Sequence, residues 1–395
     1  MLAKLRLLSA VVLALTLPLL TNAFVVDRDA ARITLPVFKR VNMTSTANLL
    51  EIDQARAKAL RARAERQYQA DSPPKDPVTD KIVSYVARVG VGSPLTFFDL
   101  IVDTGSSNIW AGARSLLYVP KGSPQYQGPV AVTYGSGSFA GTEYGSTITL
   151  SPDSPAISQS IGSARLAMGF NSVDGIFGIG PANLTLGSLP FSPNVSIPTV
   201  TDNLYDQGFI TNKLIGISFE PTTNLSNPNG ELTFGYTNPD KYTGILNDVP
   251  ITSTNPSSKY VGINQTTTYG TESLPILANT AGIVDTGTTL IMFASGAFSA
   301  YKAATNAMSD SATGLLKIVP GDYAQLESLF FEIGGFKYEL TANGQTWPRA
   351  LNTVIGGQAD GIYLAFGDLG SSSSEGLRQS EQSSGLCYNP LHERY

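Results

Sequence analysis

Two copies of one short pattern hold the residues of this chain that could do chemistry. Asp103-Thr104-Gly105 and Asp285-Thr286-Gly287 each follow an apolar run and precede two hydroxyl residues, and their aspartates are 182 positions apart. Glycine in this place permits a tight turn with backbone amides near the carboxylate. Two carboxylates brought together cannot both ionise, so the pair shares one proton. Such a pair can activate water against a carbonyl and protonate the leaving nitrogen.

Composition leaves little other chemistry available. The 395 residues include one histidine and one cysteine, His392 and Cys387, both in the last nine positions. A single cysteine excludes an internal disulfide framework and any zinc site built from several cysteines. A single histidine excludes a His-rich metal centre. We therefore expect neither a metal nor a cofactor, and we expect the body of the chain to work with carboxylates.

The charge is divided between a basic leader and an acidic body. Residues 1–70 hold eleven Lys and Arg against five acids, a net of +6, which leaves 15 bases against 26 acids, a net of −11, for the rest. An acidic body argues against nucleic acid as its partner.

The first 23 residues are typical of a secretory signal peptide. Lys4 and Arg6 precede an apolar run over Leu7–Leu20 that ends in Thr21-Asn22-Ala23. This run is shorter than the ~20 residues that span a membrane, so we expect cleavage and not a stable membrane span. The sequence therefore predicts a secreted, extracellular protein. Asn-X-Ser/Thr glycosylation sequons fit this prediction and begin at Asn42, Asn183, Asn194, Asn224 and Asn264.

Residues 24–76 are predicted to form a basic propeptide and a proline-rich linker. Ile33–Val37 is typical of a short strand, Asn48–Gln69 of a polar helix, and Asp71–Pro77 of a linker. A cationic segment before an acidic domain can cover an acidic cleft and release it when charges change. The alternative is a solvated helical arm with no inhibitory role.

From Lys81 onward, short Val/Ile/Thr/Phe/Tyr runs alternate with Gly, Pro, Asn and Ser, which predicts an all-β body. Helical patterns in the body are confined to Val200–Gln207 and Phe298–Met308. The repeat at domain spacing indicates two duplicated lobes whose turns meet at the interface. We place these lobes at residues 77–245 and 246–370.

These residues resemble the pepsin-like aspartic endopeptidases, particularly the secreted fungal, polyporopepsin-like branch. The resemblance implies an all-β bilobed fold with the active cleft between pseudo-symmetric lobes. It implies that Asp103 and Asp285 are the catalytic pair. It also implies supporting roles for residues of the two turns: cross-lobe hydrogen bonds for Thr104 and Thr286, bonds to the outer carboxylate oxygens for Ser106 and Thr288, and turn formation for Gly105 and Gly287.

A second motif resembles the family's flap, the hairpin that opens for a peptide and closes over it. Val132–Ser138 is glycine-punctuated and hence mobile enough for this movement. The resemblance implies that Tyr134 and Gly135 cover the cleft and that Ser136 binds the substrate main chain. It also implies that the Trp110 indole N–H steadies Tyr134.

A third motif, Asp174–Gly180, resembles the loop that closes the first lobe beside its active turn. The corresponding element of the second lobe is expected directly after Gly376-Leu377. There the chain instead reads as a polar, strand-poor segment. We therefore predict that residues 371–395 form an atypical tail in place of a closing strand. The alternative is that Ile355-Gly356-Gly357 closes the second lobe.

The sequence predicts a secreted, monomeric endopeptidase that cleaves extended polypeptides at acidic pH. Its partners would be protein or peptide substrates and its own propeptide, acting as an intramolecular inhibitor. Two other functions stay open: a catalytically impaired relative that keeps a peptide-binding cleft, favoured by the tail, and a β-sandwich adhesin, favoured only by Ser/Thr richness. A retroviral-type protease is excluded because that class assembles its pair by dimerisation, whereas both aspartates here lie on one chain.

Overall fold

The computed structural model describes residues 32–42, 48–65, 82–114, 118–135, 137–220 and 228–370. The predicted signal peptide, the proline-rich linker, the atypical tail and Ser136 lie outside the described residues.

The first lobe is built on one ten-stranded sheet. Its strands are β1 Ile33–Asn42, β2 Ile82–Val91, β3 Thr96–Asp103, β4 Ile109–Ala111, β5 Gln125–Thr133, β6 Ser138–Thr149, β7 Ile157–Met168, β8 Gly175–Gly178, β9 Ile215–Phe219 and β10 Gly230–Phe234. They lie in the order β5-β6-β7-β4-β8-β3-β2-β1-β10-β9.

The second lobe distributes nine strands over three smaller sheets. Its strands are β11 Gly262–Tyr269, β12 Leu274–Ile283, β13 Ile291–Phe293, β14 Met308–Ser309, β15 Leu316–Ile318, β16 Leu329–Ile333, β17 Phe336–Leu340, β18 Ile362–Leu364 and β19 Phe366–Asp368. The sheet orders are β12-β11-β16-β17, β14-β15-β18 and the parallel pair β13-β19. Each lobe has its own hydrophobic core, and the predicted strand-rich body is confirmed.

The described residues contain four α-helices: α1 Leu49–Glu65, α2 Val200–Asp206, α3 Ser295–Ala304 and α4 Pro320–Tyr323. Helix α2 matches the prediction to within one residue. Helix α3 begins three residues earlier than predicted and ends four residues sooner, because Asn306 adopts the left-handed conformation with φ 52°. Helix α1 begins at a capping box, in which the Asn48 side chain accepts from the Glu51 amide and Glu51 accepts from the Asn48 amide.

Strand β1 comes from the basic leader but lies inside the first lobe's sheet. It pairs with β2 on one side and with β10 on the other. Ile33, Leu35 and Val37 are at most 2% exposed and belong to the first lobe's core. The segment predicted as a propeptide therefore supplies an internal strand of the folded lobe.

The two lobes differ beside their Asp-Thr-Gly turns. In the first lobe β8 lies between β3 and β4, parallel to one and antiparallel to the other. In the second lobe β12 pairs with β11 and β13 pairs with β19, and no strand of the described residues lies between β12 and β13.

The tripeptide Ile355-Gly356-Gly357 does not supply the missing element. It ends a 3₁₀-helix over Arg349–Ile355, where Gly356 takes the left-handed conformation with φ 81°. The Asn352 side-chain amide holds the following turn by donating to the carbonyl oxygen of Gly361 at 2.8 Å. The alternative in which this tripeptide closes the second lobe is therefore wrong.

One buried carboxyl group of the first lobe has no countercharge among the described residues. Glu143 on β6 is 2% exposed, and burial raises its pKa to about 7 although it is hydrogen-bonded to Ser160. The Ser160 oxygen lies 2.6 Å from Glu143 Oε1 and 2.5 Å from Gln127 Oε1. Because one hydroxyl proton cannot serve both acceptors, a protonated Glu143 that donates to Ser160 satisfies the chain of three groups.

We predict that Glu143→Gln stabilises the protein above pH 7. A carboxyl whose folded pKa is raised contributes stability that is complete below its unfolded pKa and is lost as pH rises through about 7. The loss at pH 9 is on the order of 3 kcal/mol, since one pKa unit corresponds to about 1.4 kcal/mol. Thermal unfolding from pH 4 to pH 9 should show a smaller decline for the variant. Glu272→Gln, at an exposed turn, is the matched control. Parallel declines for Glu143→Gln and wild type would contradict the assignment.

Candidate active site

The first Asp-Thr-Gly turn stands at the end of β3 and encloses its carboxylate. Asp103 is 1% exposed. Its Oδ1 accepts from the Gly105 amide at 2.9 Å, and its Oδ2 accepts from the Ser106 hydroxyl at 2.5 Å. Strand β8 supports the turn from behind, where the Ile179 amide donates to the Asp103 carbonyl at 2.9 Å.

The second turn repeats these bonds atom for atom. Asp285 is fully buried, its Oδ1 accepts from the Gly287 amide at 3.2 Å, and its Oδ2 accepts from the Thr288 hydroxyl at 2.5 Å. Both outer oxygens are thus held by hydroxyl groups, and both Oδ1 atoms are left to face a common partner.

Reciprocal threonine bonds join the two turns across the lobes. The Thr104 amide donates to the Thr286 hydroxyl oxygen at 3.0 Å, and the Thr286 amide donates to the Thr104 hydroxyl oxygen at 2.9 Å. Each hydroxyl in turn donates to the carbonyl before the opposite aspartate, that of Val284 or Val102, at 2.9 and 3.0 Å. The fold therefore brings together all eight residues of the two turns that the sequence singled out.

The partner of the two carboxylates is Arg56 of helix α1. Its Nη2 donates to Asp103 Oδ1 at 2.6 Å and to Asp285 Oδ1 at 2.7 Å, and its Nε donates to Asp285 Oδ2 at 2.6 Å. The side chain is 8% exposed. Arg56 could not be told from its neighbours by sequence; the signal for it was the excess of basic residues in the leader.

Glycines provide the space that Arg56 occupies. A Cβ on Gly105 or Gly287 would overlap the guanidinium group, and a Cβ on Gly135 of the flap would overlap the Arg56 backbone. The two turns and the flap thus enclose this arginine, and only residues without a side chain allow so close an approach.

Arg56 controls the electrostatics of the second turn. Burial would raise the pKa of Asp285, but the charge and hydrogen bonds of Arg56, aided by bonds from Thr288 and Gly287, hold it below its usual range. Three residues earlier on the same helix, Asp53 is 1% exposed and accepts from the backbone amides of Thr289 and Leu290 at 3.1 and 2.7 Å. Burial raises the pKa of Asp53 to about 7 against the effect of these bonds.

Helix α1 is also held by apolar packing. Leu49, Leu60 and Ala64 share a buried cluster with Leu290 and Met292, which follow the second turn. At the outer side the Gln54 side-chain amide donates to the backbone carbonyl of Asp368 at 2.7 Å. The helix is therefore bound to the second lobe through charge, backbone bonds and apolar area together.

The predicted flap closes over this arrangement. Tyr134 is 5% exposed, and its amide donates to the Gly137 carbonyl at 2.7 Å to close the hairpin. Trp110 lies beneath it with ring centroids 6.4 Å apart and stacks on Phe139 at 4.3 Å. The Trp110 indole N–H faces the Tyr134 hydroxyl but does not reach the geometry of a regular hydrogen bond, so Trp110 supports the tyrosine mainly by ring packing.

The described residues hold no group of three or more His, Cys, Asp or Glu arranged for a metal ion. None of their helices is long and apolar enough to cross a membrane. The chemistry open to this site is proton transfer between two carboxylates, a water and a bound carbonyl compound.

Comparison with known proteins identifies the arrangement. Residues 84–351 match the family model described as eukaryotic aspartyl protease. Polyporopepsin of Irpex lacteus is 56% identical over 301 residues, which cover 76% of this chain and 88% of that protein. Rhizopuspepsin-2 of Rhizopus niveus is 29% identical over 389 residues, covering 93% and 94%.

The fold agrees with this relationship. The crystal structure of the aspartic proteinase from Irpex lacteus superimposes with a TM-score of 0.70 at 57% identity, covering 74% of this chain and 86% of the other. The predicted all-β, bilobed, pepsin-like fold is confirmed, as is the predicted enzyme class. The chain belongs to the eukaryotic aspartyl protease family and is an aspartic endopeptidase of the pepsin-like kind.

Proposed function

We propose that this chain is the inactive precursor of a secreted, monomeric endopeptidase whose catalytic groups are Asp103 and Asp285. The observation that carries the proposal is the placement of Arg56 Nη2 within 2.7 Å of Oδ1 of both aspartates. A water in the same place would be hydrogen-bonded to both carboxyl groups. The guanidinium group of Arg56 thus occupies the position that the reaction needs for the attacking water.

Without Arg56 the two carboxylates must share a proton, because like charges in contact raise one pKa strongly. The ionised member takes a proton from the water as its oxygen attacks the peptide carbonyl carbon, while the neutral member protonates the carbonyl oxygen. Transfer of a proton to the nitrogen then lets the C–N bond break. Ser106 and Thr288 keep the outer oxygens occupied, and the flap residues Tyr134 and Gly135 cover the peptide.

We propose that acid releases the inhibitory helix. Asp285 has a lowered pKa in the docked state, so its contribution to docking is present at neutral pH and is lost as pH falls through that lowered pKa. Asp53 acts in the opposite direction, since its pKa is raised to about 7 and its protonation favours docking. Release in acid therefore depends on the dyad and on Arg56.

A second candidate is a catalytically impaired relative with a peptide-binding cleft. It is favoured by the second lobe, where no strand of the described residues lies between β12 and β13 beside the Asp285 turn. The intact bonds of both turns favour the active enzyme.

We predict that the acidified full chain cleaves a denatured protein between pH 2 and 6, and that a pepstatin-type inhibitor blocks the cleavage. Asp103→Asn should lower kcat/KM by at least about a thousandfold, since the dyad loses its shared proton. Asp206→Asn, on the surface of α2, is the charge-matched control. An inert wild type over this range would favour the impaired relative instead.

We predict that Arg56→Gln activates the chain at higher pH. Removing one member of a buried ion-pair network leaves charges uncompensated, which costs about 3–5 kcal/mol. The midpoint of self-processing, followed by gel mobility against pH, should rise by about one unit or more. Lys58→Gln, an exposed change on the same helix, should leave the midpoint in place. Identical midpoints for Arg56→Gln and wild type would contradict an inhibitory role for this contact.

A further inference from the structure

The C-terminal end of helix α1 lies between two short segments, one from each lobe. Asn183 and Leu184 form the first-lobe wall, and Lys259 and Tyr260 form the second-lobe wall. The Asn183 side-chain amide donates to the Lys259 carbonyl at 3.3 Å, so the walls meet directly. We call these four residues the cleft-end walls.

The cleft-end walls have opposite hydrogen-bonding character. On the second-lobe side the Tyr260 hydroxyl donates to the Leu60 carbonyl at 2.7 Å, and Lys259 Nζ donates to the Ala64 carbonyl. On the first-lobe side the Leu184 carbonyl accepts from Arg63. The second-lobe wall therefore offers donors, which suit the carbonyl end of a helix and any other negatively polarised group.

The ammonium group of Lys259 is half-buried, and its acceptor on helix α1 is the uncharged carbonyl of Ala64. No carboxylate of the described residues lies within ion-pair distance of it. Burial raises the pKa of Tyr260 to about 12, so its hydroxyl remains a donor throughout the acid range. Once α1 leaves the cleft, the ammonium group and this hydroxyl lose their acceptors.

We propose that Lys259 and Tyr260 form a subsite that selects an acidic side chain of the polypeptide substrate. The inference rests on the proposed protease function and names a preference of that same cleft. A charged acceptor is favoured over a neutral one because charge-assisted hydrogen bonds are about twice as strong.

The geometry of helix α1 also predicts how far the acidic substrate residue lies from the scissile bond. Leu60 and Ala64 follow Arg56 by four and eight residues, which is about 6 and 12 Å along a helix axis. Extended chain covers that span in about two to four residues. The acidic residue is therefore expected two to four positions from the scissile bond, on one side of it only.

The test uses peptides that differ at one position, which carries cysteic acid, glutamine or lysine; cysteic acid stays ionised at acidic pH. The acid-activated enzyme should cleave the anionic peptide about five- to tenfold better, as kcat/KM, than the glutamine peptide at one of these positions. The ratio should fall to about one in Lys259→Gln and should favour the lysine peptide in Lys259→Glu. Lys302→Gln, which removes a charge from the outer face of α3, should keep the wild-type ratio.

A binding measurement separates this inference from the proposed function. Reduced-amide versions of the cysteic acid and glutamine peptides are titrated into the full-length Arg56→Glu chain, whose cleft is no longer held by the ion pair. The anionic peptide should bind about five- to tenfold more tightly, and Lys259→Glu should reverse the order, whether or not the chain is catalytically active. Equal affinities at every position, or a preference that survives Lys259→Glu, would overturn the subsite.

Discussion

The structure depends on how the negative charge of two buried carboxylates is offset. Asp103 and Asp285 are at most 1% exposed and are fixed by matching amide and hydroxyl bonds. Charges so placed must be paired or protonated, because an unpaired buried charge is costly. In the described chain the Arg56 guanidinium group offsets the charge of the two carboxylates. In the proposed active enzyme a shared proton would do so. Inhibition and catalysis are thus two answers to the same electrostatic requirement.

The reciprocal threonine bonds join the two lobes, so the position of each aspartate depends on both of them. Thr104 and Thr286 tie the two strand ends together through four bonds of 2.9–3.0 Å, so neither lobe can move its aspartate independently. Strand β1 of the leader lies within the first lobe's sheet, while helix α1 packs on the second lobe. The leader therefore binds the first lobe's sheet through β1 and the cleft through α1, whose Arg56 and Arg63 also reach the first lobe, and release of α1 need not disturb β1.

Much of the site could be predicted because it is local in sequence. The turns, their hydroxyl residues and the flap each occupy a few consecutive positions, and their repetition at domain spacing predicted where they meet. The leader helix was predicted too, and its described part, Leu49–Glu65, lies within the predicted range. Which of its basic residues reaches the dyad was not, since Arg56, Lys58, Arg61 and Arg63 look alike in sequence and only docking distinguishes them. Asp53 and Lys259 were missed for the same reason: their partners are backbone groups, which carry no sequence signal.

The element that closes the second lobe could not be predicted from sequence. The sequence predicted a polar tail over residues 371–395 in place of a closing strand, and this stays a prediction because the tail lies outside the described residues. In the part of the lobe that the structure describes, β13 pairs with β19 and no strand lies between β12 and β13. The competing assignment of Ile355-Gly356-Gly357 failed because a glycine pair is equally suited to a buried strand and to the end of a 3₁₀-helix. The Asn352 side-chain amide favours the 3₁₀-helix, because it fixes the turn that follows by donating to the Gly361 carbonyl.

NMR titration of the Asp285 carboxyl carbon in the intact chain and in its Arg56→Gln variant tests whether Arg56 holds the charge of the dyad. In the intact chain we expect the pKa of Asp285 to lie below the ordinary Asp value of about 3.9. In the variant the pair should titrate in two steps, one of them well above that value, because the carboxylates then share a proton. The same single titration in both proteins would show that Arg56 does not hold the charge of the dyad.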